Sequence, residues 1–166
     1  MIVFEDQLAR IIEVLPTPII NEIEKPIFFN WGTETVLANY LTLSQGQNFP
    51  LIWLEEGEDR VDDNEPSVSR NARIIILYQS QCPNEFNPYQ HQYDYNIVLQ
   101  PIADNLITAL TQSGISRIDS NYRTRRVKNY SMTQIDESLV YVCNAIVLNI
   151  EIIFNGAECI NKINFN

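Results

Sequence analysis

A short stretch of the chain carries a dense run of carboxylates, a pattern that could support metal chemistry. Between positions 55 and 65 the sequence has seven acidic residues and a single base, Arg60. The acidic residues are Glu55, Glu56, Glu58, Asp59, Asp62, Asp63 and Glu65. Carboxylates bind divalent cations in metal-dependent nucleases, but a metal cleft takes its ligands from separate rigid elements rather than from one loop. The run therefore favours a solvated or partner-facing loop, since so many charges cannot be buried.

A second stretch concentrates positive charge. Five of the eleven lysines and arginines lie between positions 117 and 128. They are Arg117, Arg123, Arg125, Arg126 and Lys128. Such a cluster can contact DNA phosphates or an acidic neighbour, and a solvated hairpin is the third interpretation. We expect residues 115–133 to form an outward-facing hairpin or an ordered loop.

The segment from Tyr89 to Tyr95 lies within a polar stretch, residues 79–95, that is expected to be a long loop. Tyr89 and Tyr93 are candidates for an interface, because tyrosine buries a large area at little cost in side-chain entropy. Packing of one or two of these rings into the core is an equally good interpretation. The single histidine, His91, is expected to be a loop residue in this segment.

The remaining reactive side chains do not form a catalytic pattern. Cys82, Cys143 and Cys159 are odd in number and widely spaced, which favours reduced, mostly buried thiols over a disulfide framework or a zinc site. The five glycines are isolated, so no phosphate-binding loop can be written. The sequence therefore predicts a non-enzyme with no catalytic, cofactor-binding or metal-binding residues and no cofactor.

Length and charge restrict the class of protein further. The chain has 166 residues, of which 45% are hydrophobic, and this predicts a single globular domain over residues 1–166. The net charge of −10 disfavours bulk binding to nucleic acid or to an anionic membrane. The apolar runs are short, and the N-terminus lacks the basic start of a signal peptide. We therefore expect a soluble protein without a membrane partner.

Hydrophobic spacing predicts the helices. Apolar residues recur at helical intervals over residues 4–15, and the same period returns over residues 96–113, where Gly114 ends the helix. A third, short helix would begin at Thr33 as its N-cap, although a strand is a real alternative there. Its apolar side would carry Val36, Leu37, Tyr40 and Leu41.

Apolar runs predict the strands. Residues 51–54, 72–78 and 139–154 are expected to share one sheet, and Ile27–Phe29 is a candidate short strand. The first two strands would form an extended hairpin around the acidic loop. The fold class is therefore α+β, with a mostly antiparallel sheet, two main amphipathic helices packed on one face, and long loops.

Four segments together resemble the neck or tail-terminator proteins of tailed bacteriophages, especially phages that infect Bacteroidetes. They are the helix Phe4–Leu15, the Trp31-Gly32-Thr33-Glu34 turn with Leu37–Asn39, the Phe49–Leu54 strand before the acidic run, and Asn96–Ile102 leading into a helix before the last strand. The resemblance implies an α+β subunit of a six- or twelve-fold homo-oligomeric ring at the head–tail junction, whose long loops make ring contacts. It further implies a virion protein assembled in the bacterial cytoplasm, with neighbouring neck, portal or tail proteins and channel DNA as partners.

A different class of protein is the alternative interpretation. A small acidic chain can also act as an inhibitor or immunity-type protein that presents carboxylates to a basic partner. For the ring, we expect the acidic loop 55–65 and the basic segment 117–128 to lie on opposite surfaces and to meet across subunits or neighbouring rings.

Overall fold

The computed structural model describes residues 1–45, 47–79, 88–133 and 140–166. The helices are α1 (Phe4–Glu13), α2 (Glu34–Leu43), α3 (Pro88–Tyr93) and α4 (Gln100–Gln112), and a π-helix (Asp94–Leu99) joins α3 to α4. The strands are β1 (Ile19–Ile20), β2 (Ile23–Glu24), β3 (Phe28–Gly32), β4 (Leu51–Glu55), β5 (Arg60–Asp62), β6 (Ser67–Tyr78), β7 (Ser116–Ile118), β8 (Arg123–Thr133) and β9 (Val140–Phe154).

Seven of these strands form one sheet around the long pair β6 and β9. The two strands run antiparallel, with Val68 paired to Phe154 at one end and Tyr78 paired to Asn144 at the other. The outer edge of β6 pairs with β4 and β5, and the outer edge of β9 pairs with β7 and β8. Strand β3 lies beyond β4 and is parallel to it. The α+β fold class and the common sheet of the three predicted strands are confirmed.

One face of the sheet is covered by the two main helices, as predicted. The ring of Phe4 in α1 meets the ring of Phe154 in β9 edge-to-face, with 5.0 Å between centroids. Gln100 at the start of α4 accepts a hydrogen bond from Arg126 of β8. Arg126 is paired with Ile146 of β9, and Ile146 faces the same side of the sheet as Phe154, so α4 lies on the same face as α1. Each fully buried apolar side chain here stabilises the fold by roughly 1.5–3 kcal/mol.

Helix α2 covers part of the opposite face. Its N-cap is Thr33, whose hydroxyl oxygen accepts a hydrogen bond from the Val36 amide at 3.3 Å, which confirms the capped helix and excludes the alternative strand. Leu37 and Leu41 of this helix are buried. Tyr40 also contacts Trp53 on β4, with 5.9 Å between ring centroids. The sheet is therefore packed on both sides, although the sequence indicated helices on one side only.

The acidic run is only partly a loop. Residues 60–62 form β5, which pairs with Ser67–Ser69, so β6 begins five residues earlier than the predicted start at Ala72. The expectation of a solvated loop was wrong for these three residues only in their secondary structure, because an edge strand keeps one side open to water and so tolerates charge. All three residues of β5 are exposed.

The polar stretch 79–95 is not a continuous loop. Residues 80–87, including Cys82, lie outside the described residues, but residues 88–93 form α3 and the π-helix follows directly. The expectation that His91 and its tyrosine neighbours lie in a loop was wrong. Tyr95, Val98, Leu99 and Ile102 are all buried, and their helical spacing shows that the helical period begins before residue 96.

The expectation of an outward-facing hairpin or an ordered loop over residues 115–133 was also wrong. Residues 116–118 and 123–133 form β7 and β8, which extend the main sheet along β9 rather than projecting from it. Their charged side chains are compatible with a sheet edge because one side of an edge strand stays open to water, as in β5.

The glycine that was expected to end α4 does so. Gly114 has φ of +76°, a backbone conformation that favours glycine directly after a helix.

Candidate interaction surfaces

The acidic segment 55–65 lies along one lateral edge of the sheet. It begins at the last residue of β4 and contains β5, and both strands pair with the outer edge of β6. Two of its carboxylates form ion pairs within the chain: Glu55 with Arg73, and Asp59 with Arg70. These two acids are therefore less available to a partner than the sequence suggested.

Arg70 is the more buried of the two arginines and joins three elements. Its side chain is only 5% exposed, and its guanidinium donates to Asp59 and to Glu5 of α1, each at 2.7 Å. The guanidinium also lies over the Phe4 ring, 4.4 Å from the centroid. Burial would lower the pKa of Arg70, but the hydrogen bonds to Asp59 and Glu5 outweigh it and raise the pKa above its ordinary value. Arg70 therefore holds the acidic segment and α1 to β6 as a permanent cation.

The residues between these ion pairs connect β4 to β5, which run in the same direction along β6, and this connection, residues 56–58, is named the acidic turn. Arg70 and Arg73 are three positions apart on β6, so their side chains leave opposite faces of the sheet and reach the two ends of the turn. The Glu56 amide donates to the Gly32 carbonyl at 3.2 Å, which joins the turn to β3. Glu56 and Glu58 remain exposed, and no ion pair is seen for either among the described residues. They project from a fixed backbone.

The rest of the acidic segment continues around the hairpin beyond β5. One carboxylate oxygen of Asp62 accepts hydrogen bonds from the amides of Asn64 and Glu65 and so orders that turn. Asp63 and Glu65 are exposed. Arg60, the base within the segment, pairs with Glu151 of β9 at 2.9 Å in an exposed contact. The hairpin thus presents carboxylates at the same edge as the acidic turn.

The basic segment 117–128 lies along the opposite lateral edge. Arg117 is on β7, and Arg123 and Arg125 are on β8, both strands pairing with the outer side of β9. These three arginines and Lys128 are exposed. Arg126 is exposed as well, but it donates to Gln100 at 3.0 Å and lies 5.4 Å from the centre of the Tyr95 ring.

The two charged edges are separated by the width of the central strands. From β5 through β6 and β9 to β7 there are three inter-strand spacings of about 4.8 Å, so the edges are about 14 Å apart or more. Arg117 lies in line with Arg60 across this sheet, through Ser69 and Ile153. Within one copy, the basic segment therefore forms no ion pair with the acidic segment among the described residues.

The predicted tyrosine contacts divide into two kinds. Tyr89 is 80% exposed at the start of α3. The Tyr93 hydroxyl accepts a hydrogen bond from the Asn21 amide at 3.2 Å and lies 3.3 Å from the Asn21 side-chain oxygen, so it joins the helix to the turn between β1 and β2. Tyr93 therefore makes contacts within the chain, and Tyr89 lies at the surface.

The thiols differ in burial, and the described part of the chain holds no cluster of side chains that could bind a metal. Burial raises the pKa of Cys143 to about 12, so this thiol stays protonated at neutral pH, whereas Cys159 is exposed. In residues 1–45, 47–79, 88–133 and 140–166, no three His, Cys, Asp or Glu side chains are arranged to hold a metal ion. No helix in these ranges is long and apolar enough to cross a membrane.

Two features of the structure were not singled out as site residues by the sequence. Trp31 is 46% exposed on edge strand β3, 5.9 Å from the Phe29 ring, and it precedes the glycine that binds the acidic turn. Asp94 on the π-helix is fully buried and accepts a hydrogen bond from Asn144 of β9 at 2.7 Å. For Trp31 the sequence offered one signal, an isolated tryptophan at the end of an apolar run. For Asp94 the sequence offered none.

Comparison with known proteins assigns no family. No protein-family model and no curated protein matches the chain. The two charged edges, the tethered acidic turn and the exposed Trp31 are therefore the features on which a function can be argued.

Proposed function

We propose that this chain is a structural subunit of a homo-oligomeric ring at the head–tail junction of a tailed bacteriophage, a neck or tail-terminator protein. One structural observation carries the proposal: opposite charges lie on the two opposite lateral edges of a single sheet. The resemblance of the N-terminal helix, the Trp31–Glu34 region and the following strands to such proteins supports the same function.

The placement of the charges fits head-to-tail association of copies, in which one edge of each copy binds the opposite edge of the next. When surface A of one copy binds a different surface B of the next, the contacts are heterologous, and they close into a ring if the rotation between copies allows it. An acidic edge and a basic edge on opposite sides of a sheet are complementary in this sense. Like edges would repel, so the same charges disfavour a symmetric dimer built from one edge alone.

The proposal assigns the chain a location and partners but no catalytic step. As a ring at the junction, it belongs to the virion after assembly in the host cytoplasm, and it contacts neighbouring neck, portal or tail proteins. The channel of such a ring passes DNA, and any basic residues that face the channel contact phosphates without sequence preference.

The full chain expressed alone tests this function. We expect negative-stain electron microscopy to show closed rings and mass spectrometry of purified phage particles to detect the chain. The inhibitor-type alternative predicts a strict monomer that is absent from particles and binds a basic protein. Monomers at every concentration, together with absence from particles, would reject the ring proposal.

A further inference from the structure

We infer that Trp31 and the acidic turn 56–58 form the docking surface that receives Arg123 and Arg125 of a second copy. This inference rests on the proposed ring and specifies its subunit contact. On the acidic edge, the contact uses the turn that two arginines hold, and it does not use the hairpin beyond β5. On the basic edge, the contact uses the first residues of β8.

The acidic turn is organised before any partner binds. Glu55 and Asp59 at its ends are held by Arg73 and Arg70 from opposite faces of the sheet, and its first amide is bonded to Gly32. A fixed backbone reduces the entropy lost on association, which leaves more of the contact energy for binding. The same ion pairs neutralise two carboxylates, so the remaining charge is concentrated at Glu56 and Glu58.

Trp31 supplies an apolar contact on the neighbouring strand β3, one residue before the glycine whose carbonyl binds the Glu56 amide. It is nearly half exposed on the outermost strand of the sheet and rests against Phe29. Tryptophan is enriched among the residues that dominate interface energies, and its ring attracts a guanidinium through cation–π contact. An exposed aromatic ring on the strand that binds the acidic turn therefore suits an arginine-bearing partner surface.

The occupant is a second copy because the chain carries the complementary surface itself. Arg123 and Arg125 are alternate residues of β8, so they point to the same face and lie about 7 Å apart. Glu56 and Glu58 are also one residue apart in the sequence, so the two surfaces carry equal numbers of opposite charges. A net charge of −10 opposes docking of this molecule on DNA as a whole, which favours protein over DNA at the basic edge.

Two charge-reversed variants test the contact when mixed. One carries Arg123→Glu and Arg125→Glu, and the other carries Glu56→Arg and Glu58→Arg. Each variant alone presents like charges at every contact, so its apparent dissociation constant should rise about tenfold or more. In an equimolar mixture every contact between unlike chains is complementary. We expect mixed rings with the two chains alternating, measured by native mass spectrometry.

A matched control uses the other half of the acidic segment. Asp63→Arg with Glu65→Arg makes the same change in charge, with the same spacing, outside the acidic turn. This variant should assemble as the unaltered chain does and should not rescue the arginine variant. Trp31→Ala should also weaken assembly about tenfold or more, whereas Ile23→Ala, at a comparably exposed site, should not.

Three results would overturn the inference while leaving the ring proposal intact. The mixture could fail to assemble although the unaltered chain forms rings. The Asp63 and Glu65 control could weaken assembly as much as the variant of the acidic turn. The arginine variant could form normal rings but lose binding to a short DNA duplex, which would assign the basic edge to DNA. Failure of the unaltered chain to form any ring would instead reject the proposed function.

Discussion

Arg70 donates a hydrogen bond from Nε to Asp59 at 2.7 Å while its Nη2 donates to Glu5 at the same distance. One nearly buried side chain thus connects the N-terminal helix, the central strand and the acidic segment. The segment that follows β4 is consequently part of the folded edge of the sheet. Its exposed carboxylates lie on a backbone that is held at both ends.

Replacing Arg70 should destabilise the fold measurably. In Arg70→Met two charged hydrogen bonds and the contact with Phe4 are lost, but Glu5 and Asp59 are 18% and 32% exposed and can still be hydrated. We expect the free energy of unfolding to fall by about 1–3 kcal/mol. Urea denaturation followed by circular dichroism measures this change.

Arg60→Met is the matched control for that variant. Arg60 also forms an ion pair, with Glu151, but its side chain is 59% exposed. The pair is therefore screened by water, and its loss should change the free energy of unfolding by about 0–1 kcal/mol. Equal effects of the two substitutions would contradict the structural role assigned to Arg70.

The core of the sheet can be tested on both faces. Ile75 lies on the face that carries Trp53 and is 2% exposed, whereas Ile150 lies on the face covered by α1 and α4 and is 4% exposed. A carboxylate at either position would be buried in the apolar core, which costs several kcal/mol. Ile75→Asp and Ile150→Asp should each yield aggregated or unfolded protein.

Val61→Asp provides the comparison for these two variants. Val61 is also a strand residue, but it is 69% exposed on β5. Its replacement should leave solubility and the melting temperature nearly unchanged in size-exclusion and thermal-melting measurements. Normal folding of both isoleucine variants would disprove the arrangement of the sheet.

How far the sequence predicted the fold depended on how much each segment is buried. The strand 139–154 and the helix 4–15 were placed to within one or two residues, because their apolar spacing reflects the faces they bury. The cap at Thr33 was also identified, since it depends on one local hydrogen bond. These elements could be predicted because they depend on residues that are close together in the sequence.

The edges of the sheet could not be predicted in the same way. Strands β5, β7 and β8 carry charged residues because one side of each faces water, and their pairing partners are distant in sequence. The same holds for the candidate site: the two charged segments were recognised, but the ion pairs from Arg70 and Arg73 depend on the register of β6. That register is a property of the folded sheet.

The stability of the protein should fall at alkaline pH. Burial raises the pKa of Cys143 from 9.0 to about 12, and burial also raises the pKa values of Tyr78, Tyr95 and Tyr130 above 10.0. Above pH 9 the unfolded chain loses protons that the folded chain retains. The free energy of unfolding therefore decreases as pH rises, and these groups contribute no slope below about pH 8.

The contribution of Cys143 can be separated by substitution. Cys143→Ala removes the thiol, so the fall in stability between pH 9 and pH 10 should become smaller, by up to about 1.4 kcal/mol per pH unit. Urea denaturation at several pH values gives this slope for both proteins. An unchanged slope in the variant would contradict the burial of a protonated thiol at this position.

The central claim is that the acidic and basic edges join copies of this chain into a ring, and native mass spectrometry of the full chain across a salt series tests it most directly. The screening length falls from about 10 Å at 0.1 M salt to about 3 Å at 1 M, so contacts between exposed charges weaken. We predict one closed oligomer at low salt that dissociates as salt is added. A monomer at every salt and protein concentration, or an oligomer that salt leaves unchanged, would contradict the account.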